Sequence, residues 1–416
     1  MLRYIVFFAL LLLTVGGCNY FVHRRASAAF NLKKRARRTL FAVQLAGLLS
    51  LVIGRVVGGP PTSAAAALGT FGSVIQLAVL ISSALLVAER IVSAVAAVVA
   101  KLRHTKEPQP TRPQTELPET ALPQKALPLR ELPLRELPRR ELMSRVLAGS
   151  AVTIGASTAA YGVLFGRHDY AIEEVPVKLS GLPRTLDGFT IVQLSDVHLG
   201  MYVGEREIRS AIELVGRAKP DLIVLTGDLL DHDPGYRQLL GSMVRRLGDQ
   251  APVAAVPGNH DYYAGVTETM SALREAGADV LINRGKIIGD PGGKFALLGV
   301  DDMWSRRYGR NRGPDIDRAI ASVPSDAARV LLCHNPAYFA EAAPHVDLQL
   351  SGHTHGGQVN LGGIRPAKLL LPYGYVEGRY VRDNAQLWVN RGFGTAGPPA
   401  RISAAPEVTK IVLTSA

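Results

Sequence analysis

Short groups of aspartate, histidine and asparagine recur in the second half of this chain, and these residue types are common metal ligands. The groups are Asp196-x-His198, Gly227-Asp228-x-x-Asp231, Gly258-Asn259-His260-Asp261, His334 and Gly352-His353-x-His355. Imidazole and carboxylate together suit manganese, iron, zinc or cobalt, whereas two cysteines are too few for a cysteine-ligated zinc site. Two such ions roughly 3.5–4 Å apart can bind a phosphate oxygen, generate hydroxide near neutral pH and stabilise in-line displacement.

The apolar runs around these groups predict the elements that position them. The runs typical of strands are Thr190–Leu194, Leu222–Thr226, Val253–Val256, Phe295–Val300, Val330–Cys333 and Leu348–Leu350. The segments typical of helices are Glu205–Arg217, Gly235–Leu247, Thr267–Ala276, Asp315–Ser322 and Ala337–Ala343. From Gln358 onward, glycines and β-formers predict hairpins and a final strand at Val408–Thr414. This alternation predicts a layered α/β domain.

Each group follows a predicted strand end, where open α/β sheets collect their chemistry. A single group is weak evidence, because Asp-x-His and Gly-Asp are common and a lone His334 is more often a core residue. The ordered set at five strand ends is much more specific, so the sequence predicts a metal site at one rim of the domain.

The first half of the chain has the composition of a membrane region. Four stretches, at 4–22, 40–57, 64–88 and 146–165, are apolar and approach or exceed the roughly 20 residues that cross a bilayer. We therefore expect a membrane region at 1–103 with three spans, a proline-rich linker at 104–145, a fourth span at 146–165 and a catalytic domain at 170–416.

The distribution of basic residues predicts the orientation of these spans. Lysine and arginine concentrate between the first and second spans and between the third and fourth, so both segments are expected on the cytoplasmic side. The uncharged loop at Gly58–Ser63 and the catalytic domain are then expected outside. The distribution therefore predicts a multi-pass membrane protein with its catalytic domain on the extracytoplasmic side.

Two features of the first half of the chain each allow more than one interpretation. Val15-Gly16-Gly17-Cys18 resembles a lipoprotein cleavage box, so lipidation of Cys18 or removal of a signal peptide competes with a plain first span. A pentapeptide with proline in register repeats over residues 116–140 and favours an extended polyproline II arm. That arm is interpreted as a spacer, with partner docking or lipid binding as the alternative.

Charge is distributed unevenly along the chain. The net charge is +12, yet the first 169 residues carry 21 Lys and Arg against 8 Asp and Glu, and the remainder carries 26 against 27. Nucleic-acid-binding domains usually present a basic surface, so the charge of the second half argues against nucleic acid as a partner.

The five groups together resemble the calcineurin-like metallophosphoesterases, from roughly Val175 to the C-terminus. The continuation His355-Gly356-Gly357-Gln358 and the later run Asn390-Arg391-Gly392-Phe393-Gly394 resemble a membrane-anchored bacterial subgroup. That subgroup includes YkuE- and YaeI-type phosphodiesterases and is similar to UDP-2,3-diacylglucosamine hydrolases. The resemblance implies a four-layer α/β/β/α sandwich and a metal-dependent phosphoric ester hydrolase, either a phosphodiesterase or a phosphatase.

The resemblance also implies a role for each residue at two divalent metal ions, manganese first, with iron, zinc or cobalt as alternatives. One ion would be held by Asp196, His198 and His355, the other by Asn259, His334 and His353, with Asp228 bridging. Hydroxide on the metals would attack phosphorus. His260 would protonate the leaving oxygen or stabilise the transferring phosphoryl group, and Asp231 would orient His260. Asp261 is a candidate for supporting the ligands or for capping a helix.

One departure from the superfamily bears on the substrate. In its phosphoprotein phosphatases an arginine usually follows the aspartate at the position of Asp231, but here His232 follows. Arg391, Arg401 or the pair Arg306-Arg307 are candidates for binding phosphate instead. Trp304 is a candidate for the substrate mouth, with core packing as the alternative.

The membrane region makes a lipid-linked or cell-envelope phosphate ester the expected substrate. A metallo-nuclease on the same fold and a non-catalytic membrane scaffold or sensor are the alternatives.

Overall fold

The structure, a computed structural model, describes residues 2–104, 139–309 and 312–416. Nearly all of the proline-rich linker lies outside the described residues, so its extended conformation stays a prediction. The chain divides into two compact units, Met1–Leu45 with Gln76–Ser157 and Ala46–Ile75 with Thr158–Ala416.

Four long helices occupy the N-terminal part, α1 (Leu2–Ala29), α2 (Lys34–Val57), α3 (Ala64–His104) and α4 (Arg139–Leu164). Within the described residues, three segments are long and apolar enough to cross a membrane, over Lys34–Val57, Ala64–Val99 and Glu141–His168. They correspond to the second, third and fourth predicted spans. The first predicted span lies within α1, where most side chains before residue 13 fall outside the described part, so that span stays a prediction.

In the first unit, polar side chains on these apolar helices bond to one another. Asn19 Nδ2 donates to Gln76 Oε1 at 2.9 Å, Gln76 Nε2 donates to the Gln44 carbonyl at 3.1 Å, and Gln44 Nε2 donates to the Asn19 carbonyl at 3.1 Å. Amide side chains in an apolar environment stabilise helix association in this way, because their alternative is an unsatisfied polar group.

The second unit is built on two six-stranded sheets. Its strands are β1 (Ala171–Leu179), β2 (Thr190–Leu194), β3 (Leu222–Thr226), β4 (Val253–Val256), β5 (Asp279–Val280), β6 (Arg284–Asp290), β7 (Gly293–Gly299), β8 (Arg329–Leu332), β9 (Leu348–Ser351), β10 (Gly378–Arg382), β11 (Ala385–Val389) and β12 (Glu407–Ser415). One sheet has the order β1-β12-β2-β3-β4-β5 and the other β10-β11-β9-β8-β7-β6. In each, the strands that precede the predicted ligands run parallel.

The second unit also contains helices, and those that share an apolar core with the strands cover the outer faces of the sheets. Its helices are α5 (Glu205–Ala218), α6 (Arg237–Gly248), α7 (Asn259–Tyr263), α8 (Val266–Glu275), α9 (Ile316–Ile320), α10 (Phe339–Ala342) and α11 (Ala367–Leu370). The predicted helices Asp315–Ser322 and Ala337–Ala343 are shorter than expected. Around α10 the chain forms 3₁₀ turns that contain Pro336 and Pro344, because proline cannot donate the helical hydrogen bond.

Three apolar cores separate the layers, which confirms the α/β/β/α sandwich. Leu225 on β3 packs in one core with residues of α5, α6 and α8. Val224, the neighbouring residue, faces the opposite way and packs with Leu332 of the second sheet. Leu331 then packs outward with residues of α9 and α10. Side chains of successive strand residues thus point into different cores, and both sheets are covered on each face.

Candidate metal centre

The predicted ligands lie in the loops that follow five strands, at the carboxyl ends of both sheets. Asp196 and His198 follow β2, Asp228 follows β3, and Asn259 is the first residue of α7 after β4. From the second sheet, His334 follows β8, and His353 and His355 follow β9. The sandwich therefore brings six of the seven predicted ligands into two groups, and it places Asn259 next to His260, whose backbone N–H donates to Asp228. All seven residues are buried or nearly so.

Asp196, His198 and His355 form the first ligand group. The Nε2 atoms of the two histidines are 3.0 Å apart, and His355 Nε2 is 3.5 Å from Asp196 Oδ1. Ser195 Oγ and the backbone N–H of His353 both donate to the Asp196 carboxylate, at 2.6 and 3.0 Å. These bonds fix the carboxylate with one face toward the histidines.

Asp228, His334 and His353 form the second ligand group. His334 Nε2 lies 3.1 Å from His353 Nδ1 and 3.3 Å from Asp228 Oδ2. The other ring nitrogen of His334 donates to the Thr226 carbonyl at 2.8 Å, which leaves Nε2 as the free lone pair. Asp228 Oδ2 is also 3.7 Å from His198 Nε2, so one carboxylate oxygen faces both groups.

This arrangement fits two divalent cations. In each group two imidazole nitrogens face each other at 3.0–3.1 Å, which matches the separation of two ligands about 2.1 Å from one ion at roughly a right angle. Burial lowers the pKa of His198 to about 3 and that of His353 to about 4, so their lone pairs are available. Asn259 Oδ1 is buried without a hydrogen-bond partner, as an oxygen ligand would be.

The backbone at the centre adopts an unusual conformation that sequence reasoning did not anticipate. Five of the predicted ligands have left-handed φ angles: Asp196 (53°), His198 (51°), Asp228 (53°), His353 (75°) and His355 (52°). Residues with a Cβ adopt this region at an energetic cost and concentrate there at functional sites. The ligand loops are therefore held in place by contacts around them.

His260 and Asp231 lie together at the edge of the two groups. His260 Nδ1 is 2.9 Å from the Asp231 carbonyl and 3.2 Å from Asp231 Oδ1, and Asp231 Oδ1 also lies 2.8 Å from His232 Nδ1. These contacts occupy Nδ1 of His260 and leave Nε2 as its other proton-carrying position. Although burial opposes it, the bond to Asp231 raises the pKa of His260. With His198, the pair forms a third set of candidate ligand atoms.

Asp261 both caps a helix and ties two ligand loops together. One carboxylate accepts hydrogen bonds from the backbone N–H groups of Asp228, Leu229, Leu230 and Gly258, at 2.8–3.2 Å. The Gly258 bond caps the N-terminus of α7, and the other three hold the loop of the bridging candidate. The two roles considered for Asp261 from sequence are therefore both present.

We expect Asp261→Asn to lower metal affinity about 10- to 100-fold while leaving the ligands themselves intact. Each oxygen of the Asp261 carboxylate accepts two of the four backbone N–H groups, and an amide has only one acceptor oxygen. Two N–H groups therefore lose their acceptor, and the loop that contains Asp228 is held less firmly. Metal titration of the purified protein, followed by calorimetry, measures the change. Asp249→Asn, at an exposed helix end, is the matched control; equal affinity in the two variants would contradict this role.

Three of the four arginines considered for phosphate binding are engaged elsewhere. Arg401 is buried and donates to the carbonyls of His355, Arg391 and Gly392, so it supports the loop of a ligand and is closed to substrate. Arg391 pairs with Glu173 and Glu407. Arg306 pairs with Glu341 at 3.5 Å.

Aromatic side chains extend from the histidines toward Arg307. Tyr263 stacks on His232 with ring centroids 5.4 Å apart and meets Trp304 edge-to-face at 5.1 Å. Arg307 lies over the Trp304 ring at 3.5 Å. Trp304 thus belongs to a wall that begins at the site, and its place at a substrate mouth stays a prediction. Sequence reasoning overlooked Tyr263, although its position three residues after His260 places both on one helical turn.

Comparisons with known proteins identify the family of this chain. The profile of calcineurin-like phosphoesterases matches residues 189–357. YkuE of Bacillus subtilis, described as an uncharacterized metallophosphoesterase, is 33% identical over 276 residues, covering 64% of this chain and 94% of that protein. A transmembrane protein with a metallophosphoesterase domain from Danio rerio is 32% identical, covering 64% of this chain and 62% of that protein. A solved dimetal phosphatase from Danio rerio has 14% identity and a TM-score of 0.34, covering 50% of this chain and 88% of that one.

The match to YkuE spans nearly the whole of that relative. The family profile begins one residue before β2 and ends just after His355, so it covers all seven predicted ligands. The chain, with its membrane-capable helices, belongs to the calcineurin-like metallophosphoesterases, a family of metal-dependent phosphoric ester hydrolases.

Proposed function

We propose that this protein is a membrane-anchored dimetal phosphoesterase that hydrolyses a phosphodiester or phosphomonoester of a membrane lipid or the cell envelope. The observation that carries the proposal is the position of Asp228, whose Oδ2 faces one histidine of each ligand group, at 3.3 and 3.7 Å. A single carboxylate oxygen between two sets of ligands is the arrangement that a two-metal site needs.

The proposed ligand sets are Asp196, His198 and His355 for one ion and Asn259, His334 and His353 for the other, with Asp228 shared. Two divalent ions held there, manganese first, would activate water as the nucleophile and offset the charge of the phosphoryl oxygens.

The protein's own side chains would then complete the reaction. His260 presents Nε2 to the leaving oxygen and gives it a proton from that atom, while Asp231 holds Nδ1 and with it the orientation of the ring.

The contact between the α2–α3 loop and the catalytic domain supports an extracytoplasmic active site. Tyr236 Oη donates to the Gly59 carbonyl at 3.1 Å, so the loop predicted outside lies on the same side as the metal centre. The basic segments at the other ends of the helices favour the cytoplasmic side. The bacterial plasma membrane fits both.

Hydrolysis of bis-p-nitrophenyl phosphate and p-nitrophenyl phosphate by the full-length protein tests the activity. We expect manganese-dependent turnover, with the ratio of the two rates separating diesterase from monoesterase. A folded, metal-loaded protein that hydrolyses neither ester, nor a panel of envelope lipids, would contradict the proposal and favour a scaffold or sensor role.

Cysteine labelling tests the topology. We expect a cysteine placed at Thr62, in a background with Cys18 and Cys333 replaced by serine, to react with a membrane-impermeant maleimide in intact cells. A cysteine at Ala36, between the first two predicted spans, should react only after lysis. The reverse pattern would place the active site in the cytoplasm.

A further inference from the structure

The α2–α3 loop forms part of the surroundings of the metal centre. Within the second unit, Pro61 packs against Gly204, where a side chain would have no room. Ala65 and Ala66, in the first turn of α3, form a buried cluster with Met201 and Tyr202. The segment at 200–204 begins two residues after His198, so the start of a membrane-capable helix is in direct contact with the loop that carries this predicted ligand.

A pocket of about 360 Å³ opens between this loop and the rim of the centre. Arg55, Gly58 and Gly59 line it on the helix side, and Gly200, Asp231 and His232 line it on the rim side. Because Asp231 touches His260 and Gly200 follows His198 closely, the pocket adjoins the proposed reaction centre and can hold a part of the substrate next to the reacting phosphorus.

Arg55 gives this pocket a positive charge that comes from a membrane-capable helix. Its Nη1 lies 3.6 Å from Asp231 Oδ2, its guanidinium carbon is 5.8 Å from the centre of the Tyr202 ring, and 37% of its side chain is exposed. The position near the C-terminus of α2 favours a cation. The guanidinium is therefore anchored loosely and keeps donors for another anion.

Among the residues that line the pocket, Arg55 carries the guanidinium; the other ionisable side chains are two carboxylates, the exposed imidazole of His232 and the Tyr236 phenol. Asp231 Oδ1 already faces His232 and His260, and Asp233 Oδ1 accepts the backbone N–H of Gly235 at 2.8 Å. Among the described arginines first considered for phosphate, Arg391, Arg401 and Arg306 are engaged in other bonds, as shown above.

We propose that this pocket binds the phosphate-bearing headgroup of a membrane lipid, with Arg55 paired to its phosphate oxygens. The proposal rests on the proposed function and names the substrate class of that site. Val56 and Val57, next to Arg55, are 81% and 69% exposed, so an acyl chain can lie beside the guanidinium. His232 stands where the phosphoprotein phosphatases usually have an arginine. Arg55 of α2 would then supply the guanidinium that is missing at that position.

Binding of hexadecylphosphonate to the full-length protein in mixed micelles tests this assignment, because a phosphonate is not hydrolysed. We expect Arg55→Ala to raise its Kd roughly 10- to 100-fold, as loss of a charged hydrogen bond implies. Arg55→Lys, which keeps the charge, should restore part of the affinity. Arg37→Ala, near the other end of α2, is the matched control and should leave the Kd unchanged.

Further readings separate the possible failures. Methylphosphonate should bind more weakly than hexadecylphosphonate to the wild-type protein. Equal affinity would overturn the assignment of a lipid as the ligand and would indicate a free phosphate. An unchanged Kd in Arg55→Ala, with normal metal content and normal hydrolysis of bis-p-nitrophenyl phosphate, would overturn the pocket and leave the proposed function standing. If the wild-type protein hydrolyses no phosphate ester but its binding of hexadecylphosphonate depends on Arg55, the proposed function is overturned and the binding site stands.

Discussion

Replacing Asp228 with alanine is expected to abolish phosphate-ester hydrolysis, with a loss of at least about 1,000-fold in kcat. The Asp228 carboxylate faces His334 at 3.3 Å and His198 at 3.7 Å, so its removal takes one ligand from both proposed ions at once. Charge stabilisation by metal ions is worth several kcal/mol, and each 1.36 kcal/mol is tenfold in rate. Turnover of bis-p-nitrophenyl phosphate and the metal content per chain measure the two consequences together.

The form of this loss distinguishes a bridging residue from a structural one. Asp228 Oδ1 also accepts the backbone N–H of His260 at 2.8 Å, so the alanine variant removes a hydrogen bond as well as a charge. Asp228→Asn can keep that bond at Oδ1, but it loses the charge and replaces Oδ2, the oxygen that faces both histidines, with an amide nitrogen that cannot bind a metal ion. We expect both variants to bind fewer than two ions per chain. Asp249→Asn is the control, and two bound ions with normal turnover in Asp228→Asn would contradict the bridging role.

Sequence reasoning located the strands that carry the ligands and did so for a physical reason. The strands β2, β3 and β4 coincide with the predicted runs, because all three are apolar and buried on both faces. By contrast, β1 was not predicted. Its run contains Glu173 and Glu174, and it pairs only with β12 at the edge of the sheet, so its composition is set by solvent as much as by the core.

The candidate ligands could be predicted from sequence and lie together in the structure, but the interactions around them could not be predicted. Asp196-x-His198 and Gly352-His353-x-His355 are local patterns, and each was read from a few neighbouring residues. Arg401 reaches the His355 carbonyl across 46 positions, and Arg55 meets Asp231 across 176. Such contacts depend on how distant elements pack. No local spacing distinguishes a buried arginine that holds a loop from an exposed one that binds substrate.

Replacing His260 with alanine is the second change expected to have a large effect, a loss of about 100- to 10,000-fold in kcat. His260 is held through Nδ1 by Asp231 and is proposed to act through Nε2 on the reacting ester. The wild-type metal content should remain, because the other ligands are complete without it. Loss of an ion in His260→Ala would instead assign His260, with His198 and Asp231, to the metal-binding set.

The identity of the leaving group separates the two roles considered for His260. A proton donor matters most when the leaving oxygen is strongly basic, so the loss in His260→Ala should be larger for an alkyl phosphodiester than for the p-nitrophenyl ester. If His260 only stabilises the phosphoryl group, its replacement should lower kcat by the same factor for both esters. Asp231→Asn should show the same dependence with a smaller loss, because it acts by positioning His260. Equal losses for the two esters in both variants would reject proton donation and leave stabilisation of the phosphoryl group.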